Sequence, residues 1–230
     1  MSKVLVTSGL FIFATMYNLP YFKEEDQTVV LEFMRTHPFT FLTGCDSDNK
    51  PVATQIPVFI DERDGKLFLT GHMMKQTDHH KAFLANKNVL AVFTGPHTYV
   101  SASLYTDPRQ GSTWNYMSVH VKGLLSFQGE QELLNILQRT TSHFENNPDS
   151  PSLFEKLPTD YVQKMVKAIV AFEIEVTSID NVFKLSQNRD EKSYHSIIDK
   201  LQQSDDDSRQ IASEMQKRTS QLFKTDTNRL

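Results

Sequence analysis

Several residue types are scarce in this chain. Of 230 residues, one is cysteine, one is tryptophan, eight are glycine and nine are proline. A lone Cys45 excludes an intrachain disulfide and any zinc site that needs two cysteines from this chain. It suits a reducing compartment, so a cytoplasmic location is expected. The low glycine and proline content excludes collagen-like and low-complexity character. Basic charge is not in excess: 24 Lys and Arg against 28 Asp and Glu leave a formal net charge of -4. A strong, unassisted nucleic-acid binder carries a basic field, so DNA binding has no support from charge. No window reaches the ~20 apolar residues of a membrane span. The motifs GxGxxG, P-loop, HExxH and GxSxG are all missing. Nucleotide phosphate in a glycine-rich turn, zinc hydrolysis and an elbow serine are therefore not expected.

What the chain does have is enough apolar matter for a core. The hydrophobic fraction is 39%, and 16 residues are phenylalanine. Residues 1–15 hold two short apolar runs split by Thr7-Ser8-Gly9. A signal peptide wants an unbroken run of ~7–15, so this segment reads as an N-terminal extension. Residues 16–203 read as the domain, and residues 204–230 turn polar and read as a solvated tail, with Ile211, Met215, Leu222 and Phe223 as a weak helical stripe.

Within the domain, Asp26 to Thr36 spaces Val29, Val30, Phe33 and Met34 for one helical face, stopped by His37-Pro38. Three strand-like runs follow, Phe39–Cys45, Val52–Ile60 and Lys66–Gly71, with polar turns between them. A short helix is expected from Thr77 to Ala85. Val89–Thr94 reads as a strand broken by Gly95-Pro96 and resumed at His97. Tyr116–Phe127 is a long strand run bent at Gly123, and Glu130–Phe144 an amphipathic helix. Tyr161–Lys167 reads as helix, Ile169–Val176 as strand, Phe183–Arg189 as a loop or short strand, and Ser193–Leu201 as helix. Strands in meander order with peripheral helices suit an α+β, mainly antiparallel barrel rather than alternating βα units.

Four stretches concentrate chemistry. Thr70-Gly71-His72-Met73-Met74-Lys75-Gln76-Thr77-Asp78-His79-His80-Lys81 is a strand end, a basic turn and a helix start. Lys75, Lys81 and the helix N-terminus together suit an anion such as a phosphate. Adjacent histidines on a helix diverge by ~100°, so His79 and His80 do not suit one metal ion. The second stretch is Gly95 to Ser101. The third, Ser112 to Gly123, carries the only tryptophan, Trp114, beside Asn115 and Tyr116, with His120 and Lys122 on one face by the period of two. The fourth, Lys184-Leu185-Ser186-Gln187-Asn188-Arg189, is dense in donors and acceptors.

Together these stretches resemble the PaiB-like family, described as FMN-binding negative transcriptional regulators with a split barrel related to pyridoxamine-phosphate oxidases. The resemblance runs from Met16 to about Leu201. It is carried by MYNLPYF (16–22), HPFTFL (37–42), GPHTYVSASLY (95–105), STWNYMSVHVKG (112–123) and KLSQNR (184–189). It implies an FMN-binding split β-barrel with peripheral helices, working as a homodimer with flavin at the subunit interface. By that resemblance Lys75 and Lys81 hold the FMN phosphate with help from His80, in the segment that begins at Thr70, Gly71 and His72. Gln55 on the strand ATQIPVF lies along the flavin ring. His72, Asn115 or His120 sits near the ring and tunes it, and Asn188 and Arg189 close over it from the partner. The implied chemistry is that of an FMN-dependent oxidoreductase with an unnamed small-molecule reductant or ligand. A negative transcriptional regulator and a haem-binding split barrel are the alternatives.

Overall fold

The computed structural model describes residues 19–223. The expected extension at 1–15 lies outside them. Six helices and seven strands follow one another as α1 (Gln27–Thr36), β1 (Phe39–Cys45), β2 (Pro51–Pro57), β3 (Phe59–Arg63), β4 (Lys66–Met74), α2 (Asp78–Ala85), β5 (Asn88–Val100), β6 (Thr113–Phe127), α3 (Glu130–Glu145), α4 (Thr159–Ala168), β7 (Ile169–Lys184), α5 (Glu191–Gln202) and α6 (Asp206–Leu222). All the strands join one antiparallel sheet in the order β2-β1-β5-β6-β7-β4-β3. Its two edge strands, β2 and β3, are separated in the chain by Val58 alone. One residue cannot span the width of seven flat strands, each ~4.8 Å from the next. The sheet must therefore curl until its edges meet, which makes a split barrel.

Alternation sorts each strand into an inner and an outer face. Leu42, Leu69, Ala91, Phe93, Val119, Val121, Phe172 and Ile174 point inward and are fully buried. Gly71 sits where β4 crosses closest to the other edge. A Cβ there would lie 2.8 Å from Phe172 Cζ and 2.9 Å from the Pro57 carbonyl oxygen. The Asp64-Gly65 pair turns β3 into β4 with φ of 51° and 73°, the left-handed pair a tight hairpin needs. A second, smaller core lies outside the barrel, where Leu133, Ile136 and Leu137 of α3 pack on Ile169 and Ala171 of β7.

Side-chain oxygens start four helices. Asp26, Thr77, Asp190 and Asp205 accept from the backbone N–H of Thr28, His80, Ser193 and Ser208 respectively. Among the described residues no helix is long and apolar enough to cross a membrane.

The structure corrects the sequence reading in four places. The run Val52–Ile60 is not one strand, because Val58 divides it between β2 and β3 at opposite edges of the sheet. Gly95-Pro96 does not end a strand. β5 runs through it with a register shift between Thr94 and His97, since a bulge tolerates the proline's missing N–H. β7 continues from Ile169 to Lys184 without the break expected after Val176. Residues 206–222 are not a solvated tail but helix α6, which buries Ser208, Ile211, Ala212 and Met215, its apolar residues joining the main core. Residues 224–230 of that expected tail lie outside the described residues.

Candidate functional site

The turn from β4 into α2 gathers cations. Gln76 takes a left-handed φ of 66°, which folds the chain back so that Lys75 precedes the helix and His80 and Lys81 rise from its first turn. The Lys75 N–H donates to the Ala168 carbonyl at 2.8 Å, and its Nζ lies 3.4 Å from the Val166 carbonyl, so the turn is tied to the end of α4. The Thr77 hydroxyl caps the helix and lies 2.9 Å from His79 Nε2. Asp78 turns its carboxylate to His79, 3.1 Å from Nδ1. His80 packs its ring 4.9 Å from Phe127, and its Nδ1 is buried with no hydrogen-bond partner. Burial pushes the His80 imidazole below its ordinary pKa, and His79, Lys75 and Lys81 push it the same way. An unpartnered buried nitrogen and two lysines beside a helix N-terminus form a set that fits a phosphate monoester.

A second group lies on the outer face of the sheet. Gln55, Phe41, Val92, His120 and Asp180 follow one another across five strands as a single rung of the ladder. Gln55 and His120 are thus three strand spacings apart, ~14 Å. Burial lowers the pKa of His120; Asp180 opposes that, and Lys122 and Lys23 reinforce it. Lys23 itself pairs with Asp180. Between Gln55 and His120 the surface is apolar, with Phe41 44% and its neighbour Phe39 58% exposed. Beside His120 opens a cleft of about 460 Å³, lined by Val92, Thr94, His97, Trp114 and Tyr116. A larger cavity, about 750 Å³, lies between α1 and α6, over Phe33, Met117 and Phe183.

The third group stands at the far end of β7. Asn188 lies in the turn that follows the strand. The Arg189 guanidinium lies 4.0 Å over the Tyr105 ring, and Nη1 donates to Gln110 Oε1 at 2.5 Å.

Other residues singled out in the sequence fall elsewhere. Thr70 donates its hydroxyl to Asp61 Oδ2 at 2.8 Å, and Asp61 also takes Arg139 Nη1 at 2.7 Å. Thr70 therefore serves the docking of α3 rather than the basic turn. Gly71 points inward at Phe172, so its lack of a side chain answers to packing. His72 pairs across the ladder with Ala171, on the face that α3 covers, and burial lowers its pKa. Asn115 is fully buried on the inner face. It accepts from Ser186 Oγ at 3.0 Å and places Nδ2 3.5 Å from Met215 Sδ, which removes it from the outer face where His120 lies. The period of two carries that signal, since 115 and 120 have opposite parity. Phe41 and Val92, which separate Gln55 from His120, carry no local signal in the sequence, because only strand pairing places them there. Among the described residues no cluster of three or more His, Cys, Asp or Glu could hold a metal ion.

Comparison with known proteins bears on the family and the fold. A family model described as "Putative FMN-binding domain" matches residues 16–178. Protease synthase and sporulation protein PAI 2 of Bacillus subtilis is 34% identical over 187 residues, 81% of this chain and 89% of that protein. An uncharacterized protein of Emericella nidulans is 26% identical over 212 residues, 75% of this chain and 84% of its own. Among solved structures, the FAD and heme binding protein of Mycobacterium smegmatis superposes with a TM-score of 0.53 at 16% identity. That match covers 70% of this chain and 73% of the other, and it speaks to the fold. The match over residues 16–178, the identity to PAI 2 and the split barrel together place the chain in the FMN-binding-domain family, whose cofactor is FMN.

Proposed function

We propose that the chain works as a homodimer that holds FMN at the subunit interface, with the phosphate on the β4–α2 turn. The observation that carries this reading is the buried, unpartnered Nδ1 of His80 among Lys75, Lys81 and the start of α2. A bound phosphate would give that nitrogen an acceptor once it carries a proton, and would relieve the repulsion between the cations around it. Lys75 and Lys81 supply point charges rather than a bidentate fork, so the directional bond falls to the His80 ring nitrogen.

Bound flavin supplies hydride or electron transfer. The protein's part is position and electrostatics. The apolar stretch of Phe39, Phe41 and Val92 excludes water from the outer face. Gln55 offers an amide donor and acceptor at one end of the rung. His120, neutral near pH 7 because burial lowers its pKa, offers a switchable donor at the other. The same exposed phenylalanines are the surface a second copy would cover.

The test is titration of the full chain with FMN, followed by flavin fluorescence and by the mass of the eluting species. A flavin-loaded dimer is expected, with affinity weaker by about tenfold or more when Lys75 and Lys81 are both replaced by Ala. FMN affinity unchanged in that double variant would overturn the phosphate assignment. A monomer that retains FMN would overturn the interface.

A further inference from the structure

A buried cationic group stands apart from the phosphate turn. Lys75 meets the residue just before β7 begins, whereas Lys184 is the last of that strand's 16 residues. At this far end, Arg189 Nε is buried with no hydrogen-bond partner, and so is the hydroxyl of Tyr105, a residue only 5% exposed. Two buried polar atoms left unmet on side chains in direct contact carry an uncompensated desolvation cost, and a ligand that met both would remove it. Arg189 also makes no ion pair among the described residues. Its Nη1 meets the neutral amide oxygen of Gln110, which belongs to the exposed loop after Tyr105.

The adjacent acid does not serve as its counterion. Asp190 is taken up by Ser193, through its amide at 3.0 Å and hydroxyl at 2.6 Å, and by the Thr106 hydroxyl at 2.9 Å. Those bonds hold its carboxyl down to about 2. Lys184 adds a second cation, close enough for Arg189 to depress its pKa, after burial, and its Nζ reaches Thr113 Oγ1 at 2.5 Å.

We propose that Arg189, Tyr105 and Lys184 form a second oxyanion pocket, which takes the carboxylate or phosphate of a ligand other than FMN. The Nε side of the guanidinium is the edge that binds such a group in two-point fashion, and the Tyr105 hydroxyl adds a neutral donor. Gln110 meets Nη1, on the other side of the guanidinium, and so does not occupy that edge. FMN carries one phosphate, and the β4–α2 turn accounts for it. An anion at the Arg189 end therefore belongs to the second reactant or to an effector. That the ligand is other than FMN rests on the proposed phosphate site; the anion pocket itself stands whether or not FMN is bound.

Equilibrium dialysis of the full chain with labelled inorganic phosphate, and in a second arm with labelled acetate, tests it. Trp114, next to Thr113 and the only tryptophan, gives a parallel fluorescence reading. The expected result is saturable binding of at least one of the two anions at the Arg189 end. That binding survives the paired Lys75→Ala and Lys81→Ala replacement. It weakens by about tenfold or more in Arg189→Gln and severalfold in Tyr105→Phe. Phosphate without acetate marks a phosphorylated ligand, and acetate as well marks a carboxylate. Neither anion binding at millimolar concentration would overturn the pocket. So would Arg189→Gln that loses FMN while keeping the anion, which would return Arg189 to the flavin. Tyr105→Phe keeps the ring under Arg189, so it reads the hydroxyl even if the arginine variant folds poorly. FMN that fails to bind while the anion binds would sink the flavin reading and leave this one intact.

Discussion

The hydroxyls of Thr98 on β5 and Ser208 on α6 lie 2.8 Å apart, both buried, and join the last helix to the barrel wall. Neither group has water to fall back on. Thr98→Val would strip the Ser208 hydroxyl of its partner on the strand and should cost ~1–3 kcal/mol, read as a lower urea midpoint. Combining Thr98→Val with Ser208→Ala removes both partners and should bring stability closer to the parent. A double variant as destabilised as the two single variants added together would show that the pair does not act as a unit.

Gly71 makes a sharper case. A methyl group there meets both a phenyl ring and a carbonyl oxygen inside 3 Å, and the oxygen belongs to backbone. Gly71→Ala should destabilise by ~1–3 kcal/mol by overpacking. FMN affinity per folded molecule should not change, because the side chain would point into the core. A selective loss of FMN with stability intact would make Gly71 a contact after all.

Three partly or largely buried histidines, His72, His80 and His120, all have their pKa lowered from the ordinary 6.5, in each case chiefly by burial. The unfolded chain therefore takes protons first as pH falls through 6.5, and folding stability drops from there toward the lower folded-state values. Well above 6.5 these groups contribute no slope. His72→Gln should flatten the acid side of a stability–pH curve, since burial is the one cause of its shift. An equally steep curve in that variant would refute the linkage to His72.

Phe41 lies exposed at the middle of the rung between Gln55 and His120. Phe41→Lys should leave the monomer folded, because the side chain takes no part in the inner core. It should abolish the dimer at micromolar concentration and with it most FMN binding, measured by light scattering and flavin fluorescence. A dimer that persists would move the interface off this face.

Much of the fold is legible in local chemistry. Asp64-Gly65 announces its hairpin, and the aromatic and β-branched run Phe39 to Cys45 announces a strand, though not that its phenylalanines face outward while Thr40 is buried. Helix α6 is not legible, because its core stripe is narrow. Ile211, Ala212 and Met215 are the apolar residues it buries, and the acids and glutamines around them dominate any average over the segment. The site is half legible for a similar reason. Lys75, His80 and Lys81 follow one another in the chain, so their grouping can be read directly. Gln55 and His120 share a rung only through the pairing of β1 with both β2 and β5, which no local pattern encodes. Tyr105 and Arg189 meet over a separation that sequence periodicity does not reach.

The order of strands also sets a timetable for the growing chain. Leu69 on the β3–β4 hairpin pairs with Ile174, and nothing made earlier offers β4 that partner. At ~5–20 residues per second, the hairpin waits several seconds or more on the ribosome with one edge open. Through that interval the backbone of Phe68 to Met74 is a template for any passing strand. The vulnerable period of this protein's life is thus its synthesis, before β7 emerges to close the edge, and conditions that slow translation between residues 75 and 184 should favour aggregates over native chains.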